Sequence, residues 1–379
     1  MRKKHSIEKP NISTENPKYS RAEVLIRKYF HQIYNKELSK PNGGFDEEKI
    51  FNTIKDRIAK QSRQRRLNQL KIAASFIGLI CLSSLAVWFY SSSTKLSDKT
   101  FVINAENIKP GVDKAILTLA DGSVIDLTDR SIGEITNQGG TLVTKTDDGH
   151  LVYSLGEAES DAEIAYNSIS TPRGGQFAIA LPDGSRVWLN ADSELKYPTS
   201  FKGDNRTVEL IGEGYFEIKH DKKRPFKIKS NDQIVTVLGT KFNINSYQDE
   251  AYIRTTLLEG SVQIEKGQQA IILKPGEQAN VKEKIEIVTV NPANSVAWKN
   301  GDFMFRNESI RDIMRQVSRW YDIQVEYKGK YESLKFGGIV SRSKDLSAVL
   351  TMLEKTGKVK FEVLMNATKE ERRVRVIFI

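Results

Sequence analysis

Cysteine and histidine are scarce in this sequence. Its 379 residues include one cysteine, Cys81, and four histidines, His5, His31, His150 and His220. A single thiol excludes a disulfide framework, so any exported part of the chain must be stabilised by its hydrophobic core. The histidines lie far apart and show no metal-ligand spacing, and we therefore expect no metal site and no cofactor.

Signatures of catalysis are also missing. The sequence has no Gly-x-Ser-x-Gly elbow, no phosphate-binding loop, no paired cysteine motif and no His-x-x-x-His pair. Two Asp-Gly-Ser segments, at Asp121 and Asp183, contain a carboxylate and a hydroxyl, but these residues are typical of tight turns. Glu213 and Glu217 could serve glycoside hydrolysis, although a solvated strand edge explains them equally well. We expect a protein that is not an enzyme and has no catalytic residues.

An excess of positive charge is confined to one end of the chain. The sequence carries 58 Lys and Arg against 48 Asp and Glu, a net charge of +10. Residues 1–71 contain 18 basic and 8 acidic side chains, which accounts for the whole excess. A main body without net charge argues against direct binding of nucleic acid.

A long uncharged run follows the basic segment. Residues 72–90 contain no charged side chain, and 19 residues of helix would span about 28 Å, close to the hydrocarbon core of a bilayer. The 17 residues before the run carry seven Lys or Arg and the 17 after it carry two. The pattern predicts one transmembrane helix at 72–90, an N-terminus in the cytoplasm and a C-terminus in the periplasm. The alternative is a buried core helix.

Two apolar stripes predict a small all-α cytoplasmic segment at residues 1–71. Their spacing of three and four residues is typical of amphipathic helices separated by the breaker at 41–44. The stripes indicate either a self-contained helical hairpin or a surface that binds a partner helix. Their residues are Ile26, Tyr29, Phe30, Ile33, Ile50, Ile54 and Ile58.

After a polar tether at 91–100, the spacing of apolar residues along the chain changes twice. Over residues 101–290 apolar residues alternate, as in Phe177, Ile179 and Leu181, and Asp-Gly and Pro-Gly turns punctuate them. This pattern predicts an all-β periplasmic domain, a sandwich or solenoid-like fold. Residues 301–379 alternate strand and helix patterns, with possible helix N-caps at Asn307 and Ser343. They predict a C-terminal α/β domain of two βαβ-like units.

Several motifs occur in order within the β region. Residues 171–175 read Thr-Pro-Arg-Gly-Gly, 181–191 contain Leu-Pro-Asp-Gly-Ser and Val-Trp-Leu-Asn-Ala, and 212–217 read Gly-Glu-Gly-Tyr-Phe-Glu. Together with Leu-Gly-Thr-Lys-Phe-Asn at 238–243, they resemble the periplasmic domain of FecR-type anti-sigma factors, the ferric-citrate-regulator family. The C-terminal unit resembles the secretin and TonB short N-terminal domain. The motif positions are Pro172, Gly174, Asp183, Gly184, Trp188, Asn190, Gly212, Glu213, Tyr215, Phe216, Gly239 and Phe242.

The resemblance implies a transmembrane anti-sigma factor of the inner membrane. Its cytoplasmic helices would bind an extracytoplasmic-function sigma factor. Its outer domains would contact the signalling domain of a TonB-dependent outer-membrane receptor that senses a nutrient, and envelope proteases and membrane lipids would be further partners. Some relatives are cut at a Gly-Thr bond, which Gly239 and Thr240 match. The Thr hydroxyl could attack the preceding carbonyl in an N→O acyl shift, although a tight strand corner also explains the pair.

Two other functions compete with this interpretation. A membrane-tethered carbohydrate-binding or carbohydrate-cleaving β protein would need exposed aromatic side chains, for which Trp188 and Tyr215 are candidates. An envelope scaffold would share the same topology without an effect on transcription.

Overall fold

The computed structural model of the chain separates into two compact units, residues 1–97 and 98–379. It describes residues 26, 28–32, 36, 52, 53, 56, 60, 78 and 81–85 of the first unit. In the second unit it describes 100–128, 132–138, 141–146, 151–155, 164–329, 334–366 and 371–379. All of the described residues of the first unit are helical.

The predicted fold class is wrong in its helical part. Of the described residues, 50% lie in strands and 17% in helices, so the structure is mostly β. No helix among them is long and apolar enough to cross a membrane. Within the part of the chain that the structure describes, a small helical segment followed by a transmembrane helix is therefore not supported.

The β domain follows a short strand and a 3-10 turn at Ala105–Asn107. Its described strands are short, mostly three to seven residues, and one strand has twelve. The short strand that precedes the domain is β1 Thr100–Val102. In chain order the strands of the β domain are β2 Val112–Asp113, β3 Ile116–Thr118, β4 Val124–Asp126, β5 Gly133–Gln138, β6 Thr141–Lys145, β7 Leu151–Leu155, β8 Tyr166–Thr171, β9 Gly175–Ala180, β10 Arg186–Leu189, β11 Ser193–Pro198, β12 Arg206–Glu217, β13 Phe226–Ser230, β14 Gln233–Val237, β15 Lys241–Ser246, β16 Ile253–Glu259, β17 Val262–Lys266, β18 Gln269–Leu273, β19 Glu277–Val281 and β20 Ile285–Thr289.

Two sheets form this domain, and they share β12. The first sheet has the order β4-β3-β8-β11-β12-β13-β14-β17-β18. The second has the order β5-β6-β7-β9-β10-β12-β15-β16-β19-β20. The N-terminal half of β12 pairs in the first sheet and its C-terminal half in the second. Most neighbours are antiparallel, as expected for strands joined by tight turns.

Alternation of buried and exposed side chains places the core between the two sheets. In β9 every second residue is buried, including Phe177 and Ile179. One hydrophobic cluster contains residues of both sheets, for example Leu195 and Phe226 of the first and Phe216 and Phe242 of the second. The rings of Phe216 and Phe242 stack at 5.1 Å between centroids, an arrangement that adds to their burial energy.

The C-terminal domain packs two helices against strands. Its elements are β21 Asp302–Ser309, α1 Ile310–Tyr321, β22 Gln324–Lys328, β23 Lys335–Ser341, α2 Leu346–Glu354, β24 Val359–Asn366 and β25 Glu371–Phe378. The main sheet has the order β1-β24-β25-β22, and β21 pairs with β23 separately. The N-cap of α1 is Ser309, whose hydroxyl accepts a hydrogen bond from the amide of Asp312, which satisfies one of the free amides at the helix start.

The first described residues of the second unit belong to this C-terminal domain. Strand β1 pairs with β24, and Ile108 is fully buried in the C-terminal core beside Ile310 and Leu346. The amide of Leu346 donates to the carbonyl of Ile108 at 3.1 Å. The chain therefore builds part of its last domain before it enters the β domain.

Candidate functional site at the domain junction

The turn between β8 and β9 caps the C-terminal end of α1. Arg173 donates from Nη2 to the carbonyl oxygens of Ser318 and Ile323 at 2.6 and 2.9 Å, and Gly174 donates its amide to Arg319 O at 2.7 Å. The last carbonyls of a helix have no partner within the helix. Gly174 of the Thr-Pro-Arg-Gly-Gly motif thus supplies such a partner to Arg319 O from another domain, and Arg173 adds a donor to Ser318 O, which also accepts backbone amides at the helix end. We call this contact, together with the two clusters described next, the junction.

An ion-pair cluster forms the second part of the junction. Arg319 of α1 donates to Asp249 at 2.9 Å and to Glu250 at 2.7 Å, and Arg315 donates to Glu250 at 2.8 Å. The guanidinium of Arg319 also lies 3.8 Å from the ring centroid of Tyr247, a favourable cation–π geometry. Burial alone would raise the pKa of Glu250, but the hydrogen bonds and charges of the two arginines outweigh it and lower the pKa.

A buried carboxyl group forms the centre of the third part. Glu213 accepts hydrogen bonds from Asn190 at 2.8 Å and from Asn243 at 3.0 Å. Burial raises the pKa of Glu213 despite these amide donors, so the protonated form is favoured. From the C-terminal domain, Arg342 donates to Asn190 Oδ1 at 2.9 Å. The motif residues Asn190 and Glu213 therefore lie at the contact between the domains.

Backbone geometry explains the glycine beside this carboxyl. Gly212 has φ +86°, and a Cβ there would lie 2.5 Å from Ser193 Oγ. Ser193 Oγ in turn accepts the amide of Glu213 at 2.9 Å. A side chain at residue 212 would thus displace the group that holds Glu213.

A polar cleft of about 300 Å³ opens beside Glu213. Amide and guanidinium side chains line it, including Asn245, Arg254 and Gln278, and Glu308 faces it from β21. Burial raises the pKa of Glu308 to about 7. These groups can bind polar groups or exchange a proton near neutrality, but nothing among those lining the cleft forms a nucleophile–base pair. Within the described ranges, no three His, Cys, Asp or Glu side chains are placed to hold a metal ion.

The aromatic pair Trp188 and Tyr215 lies beside a lysine, with Trp188 half-buried and Tyr215 buried. The two rings lie 5.5 Å apart, and the ammonium group of Lys299 lies 4.5 and 4.8 Å from their centroids. Tyr215 is 5% exposed. A ring face held by a lysine of the same chain is not free to stack on a sugar.

Asp183 has a role that the sequence did not indicate. As the turn motif predicts, Asp183 accepts the amide of Ser185 at 3.0 Å, and Gly184 has φ +86°. Its other oxygen accepts from Arg206 at 2.6 Å, and both side chains are at least 95% buried. Asp121 and Gly122 form the same kind of turn 62 residues earlier, where the amide of Ser123 donates to Asp121 at 2.8 Å.

The Gly239–Thr240 step lies at a crowded strand corner. A Cβ on Gly239 would lie 2.4 Å from His220 Nδ1, and one on Gly260 would lie 3.0 Å from both Gly239 O and Thr240 Oγ1. Thr240 is 4% exposed, and its hydroxyl donates to Ser261 O at 3.0 Å. Close packing therefore accounts for the glycine, and the Thr240 hydroxyl is engaged by Ser261 O.

The predicted sigma-factor surface is described only in part. Ile26 and Phe30 are each 41% exposed on helical residues, and Tyr29 is half-buried. The other four predicted positions, Ile33, Ile50, Ile54 and Ile58, lie outside the described residues.

The fold and the junction define a class: an all-β domain whose turns and buried polar residues hold a C-terminal α/β domain. Residues 167–263 match the family model described as FecR protein, and residues 302–371 match FecR, C-terminal. These two regions are therefore similar to the two parts of FecR proteins, which confirms the resemblance found in the motifs. The second match lies within residues 301–379, the region that resembles the secretin and TonB short N-terminal domain.

Solved structures agree with this assignment. Two crystal structures of a "putative anti-sigma factor" from Parabacteroides distasonis ATCC 8503, at 1.65 and 2.50 Å resolution, are each similar to this chain with 27% sequence identity and a TM-score of 0.51. Each match covers 56% of this chain and 99% of the solved chain. No curated protein sequence gives a match.

Proposed function

We propose that this protein is an anti-sigma factor that transduces a signal. Residues 1–71 bind an extracytoplasmic-function sigma factor, and the unit at 98–379 receives the signal. The FecR and FecR C-terminal matches support this proposal, as does the likeness to the Parabacteroides structures. A sigma factor is the partner that an anti-sigma function requires.

The junction is the observation that carries the signalling part of the proposal. Motif residues of the FecR domain, among them Gly174, Asn190 and Glu213, hold the C-terminal domain through its helix α1 and through Arg342. A partner that binds either domain therefore acts on both. This suits a receiver better than an enzyme, because the polar groups are used to join domains.

The outer partner is proposed from the family resemblance alone. It is the signalling domain of a TonB-dependent outer-membrane receptor that senses a nutrient, with envelope proteases acting downstream. Residues 98–379 and the receptor's signalling domain should co-purify, and loss of co-purification on disrupting the junction with Arg319→Ala would support a shared receiver unit. Co-purification that depends only on residues 1–97 would contradict it.

The sigma-factor part is tested with the full-length protein. Co-expressed sigma factor should co-purify with the wild type, and Phe30→Ser should weaken the complex because it removes an exposed aromatic side chain from the predicted surface. Lys28→Ala, two residues away and also exposed, is the matched control and should bind as the wild type does. A reporter for the sigma factor should rise in the Phe30→Ser strain only. Equal co-purification of both variants would contradict the predicted surface.

The inner-membrane location stays a prediction, with residues 1–71 on the cytoplasmic side and the C-terminus in the periplasm. It is supported by the basic excess of the first 71 residues and by the seven-to-two asymmetry of Lys and Arg around the uncharged run, since basic segments favour the cytoplasmic side. Cell fractionation followed by protease treatment of spheroplasts tests it. Recovery of the intact chain in the soluble fraction would contradict it.

Cleavage at Gly239–Thr240 also stays a prediction. The Thr240 hydroxyl would replace the Gly239–Thr240 amide by an ester, and hydrolysis of that ester by water would release two fragments. The intact mass of the purified protein should therefore show both fragments, and Thr240→Ala should remain uncut because it lacks the attacking hydroxyl. Thr240→Ser, which retains the hydroxyl, is the matched control. A single intact mass for the wild type means that the glycine serves only packing against His220.

A carbohydrate-binding function is less well supported. Its candidate platform, Trp188 and Tyr215, has Lys299 over both rings. Binding of the protein on a glycan array would favour that function over the proposed one.

A further inference from the structure

The floor of the polar cleft beside Glu213 is a patch of polar side chains on one face of the second sheet. Glu213, Asn245 and Arg254 are register partners across β12, β15 and β16, and Asn243 and Thr256 form the next row. Side chains directly opposite each other on neighbouring strands lie close enough to interact. The strands therefore hold these polar groups side by side.

The chain from residue 292 onward forms the opposite wall of the cleft. Asn294 lies in the 3-10 turn Pro292–Asn294, Glu308 lies in β21, and Arg342 follows β23, and all three line the cleft. Its volume of about 300 Å³ is at the lower limit for small-molecule sites. Neither Trp188 nor Tyr215 lines it, so the cleft is separate from that aromatic pair.

Three buried polar atoms in the walls of the cleft have no hydrogen-bond partner. They are the side-chain oxygens of Asn245 and Asn294 and Nε of Arg342, half of the six such atoms among the described residues. Arg342 is 3% exposed, and its other two nitrogens donate to Trp298 O and Asn190 Oδ1. An unpaired buried polar group is costly. Three of them around one cleft therefore indicate a ligand that pairs with them.

The three atoms require both donors and an acceptor from that ligand. The oxygens of Asn245 and Asn294 accept hydrogen bonds, whereas Nε of Arg342 donates one. An anion would pair with the arginine alone and a cation with the amide oxygens alone. A hydroxyl group both donates and accepts, so a compound with several hydroxyl groups can satisfy all three atoms.

The charge of the cleft also favours a neutral ligand. Three arginines and four carboxyl groups line it. Burial raises the pKa of two of these carboxyl groups, those of Glu213 and Glu308, so they are not both ionised at neutral pH. The positive and negative charges are therefore close to balance, and neither sign of ligand charge gains a net attraction.

We propose that this cleft binds a small, neutral, polyhydroxylated compound of the size of one sugar ring. Its hydroxyl groups donate to the side-chain oxygens of Asn245 and Asn294, and one of its oxygens accepts from Nε of Arg342. Asn245 belongs to the β domain and Arg342 to the C-terminal domain, so the compound bridges the junction and stabilises it. The site does not depend on the sigma-factor function.

Saturation-transfer NMR of the full-length protein with free hexoses tests the proposal. The probes are D-glucose, D-galactose and D-mannose, and at least one should bind with a dissociation constant on the order of 1 mM or tighter, as expected for about 12 non-hydrogen atoms. The uronate and the 2-amino analogue of the hexose that binds carry one negative and one positive charge on the same ring. Both should bind at least about tenfold more weakly, because their charge has to be desolvated.

Asn294→Ala separates binding from folding. The Asn294 side-chain oxygen has no partner in the structure, so its removal should leave the melting temperature unchanged. The hexose should bind this variant about fivefold more weakly, which corresponds to the loss of one hydrogen bond. Asn300→Ala removes an exposed amide six positions away that does not line the cleft. It is the matched control and should bind the hexose as the parent does.

Three results would overturn the proposal. One is no binding of any of the three hexoses at about 20 mM, well above the expected dissociation constant. The others are equal affinity of Asn294→Ala and the parent, which would place the sugar elsewhere, and tighter binding of a charged analogue. Should Asn294→Ala not fold, hydrogen exchange of the parent decides. The hexose has to slow exchange at residues 291–294, and unchanged exchange there contradicts a ligand in this cleft.

Discussion

Removal of Arg319 should weaken the junction more than its one side chain suggests. In the wild type this guanidinium is 5% exposed, pairs with Asp249 and Glu250, and lies against Tyr247. Breaking a buried pair from one side costs about 3–5 kcal/mol, because the remaining charge is left buried. Glu250 keeps Arg315 as a partner, so we expect the lower end, about 3 kcal/mol, for Arg319→Ala in urea unfolding of the full chain at pH 7.

Two comparisons separate this effect from general loss of charge. Lys229→Ala breaks a pair with Glu209 in which both side chains are more than half exposed, and it should cost no more than about 1 kcal/mol. The Arg319 effect should also fade in acid. The pKa of Glu250 lies below its ordinary value, so its contribution is present above the unfolded pKa, about 4.3, and is lost as pH falls through the folded pKa. A cost below about 1 kcal/mol at pH 7 would refute the reasoning.

Two further substitutions test the cleft and the backbone beside it. The pKa of Glu308 is raised to about 7, so the wild type should lose stability as pH rises from about 4.5 to 7. In Glu308→Gln the melting temperature should depend less on pH over that range. An identical pH dependence in the two proteins would contradict the assignment. Gly212→Ala should destabilise by at least about 2 kcal/mol, since it adds a clash to a positive φ. Gly203 has φ +84° and open space around it, so Gly203→Ala should lower the free energy of unfolding by only about 1 kcal/mol. Equal losses in Gly203→Ala and Gly212→Ala would show that the contact of residue 212 with Ser193 has no effect.

Local patterns in the sequence predicted the strands and turns well. The alternation of Phe177 and Ile179 corresponds to their burial in β9, and the Asp-Gly-Ser turn at 183–185 has the predicted hydrogen bond. The alternation and the turn motif each depend on residues within a few positions of each other, so the sequence alone was enough to predict them. The predicted N-cap Asn307 was wrong for a related reason. The irregular pairing between Phe305 and Glu308 leaves Asn307 at φ +56°, and Ser309 caps the helix instead.

The junction could not be predicted in the same way. Arg173 and Ser318 are 145 positions apart, and Arg342 and Asn190 are 152 apart. No local period or turn signal relates such pairs, so the motifs identified Asn190 and Glu213 by resemblance without showing what they contact. Strand β1 escaped prediction for the same reason, because its partner β24 lies near the other end of the chain. The uncharged run misled in the opposite direction, since its composition indicated a long helix that the described residues do not support.

The shared strand β12 has a consequence for how this domain assembles. Residues 206–211 complete the first sheet and residues 212–217 the second, and Gly212 lies where the strand passes from one to the other. Neither sheet has its full set of neighbours until this one strand is in place. The β domain should therefore unfold in a single cooperative transition, with no intermediate that keeps one intact sheet. Insertions that are tolerated in its hairpin turns should be rejected throughout residues 206–217.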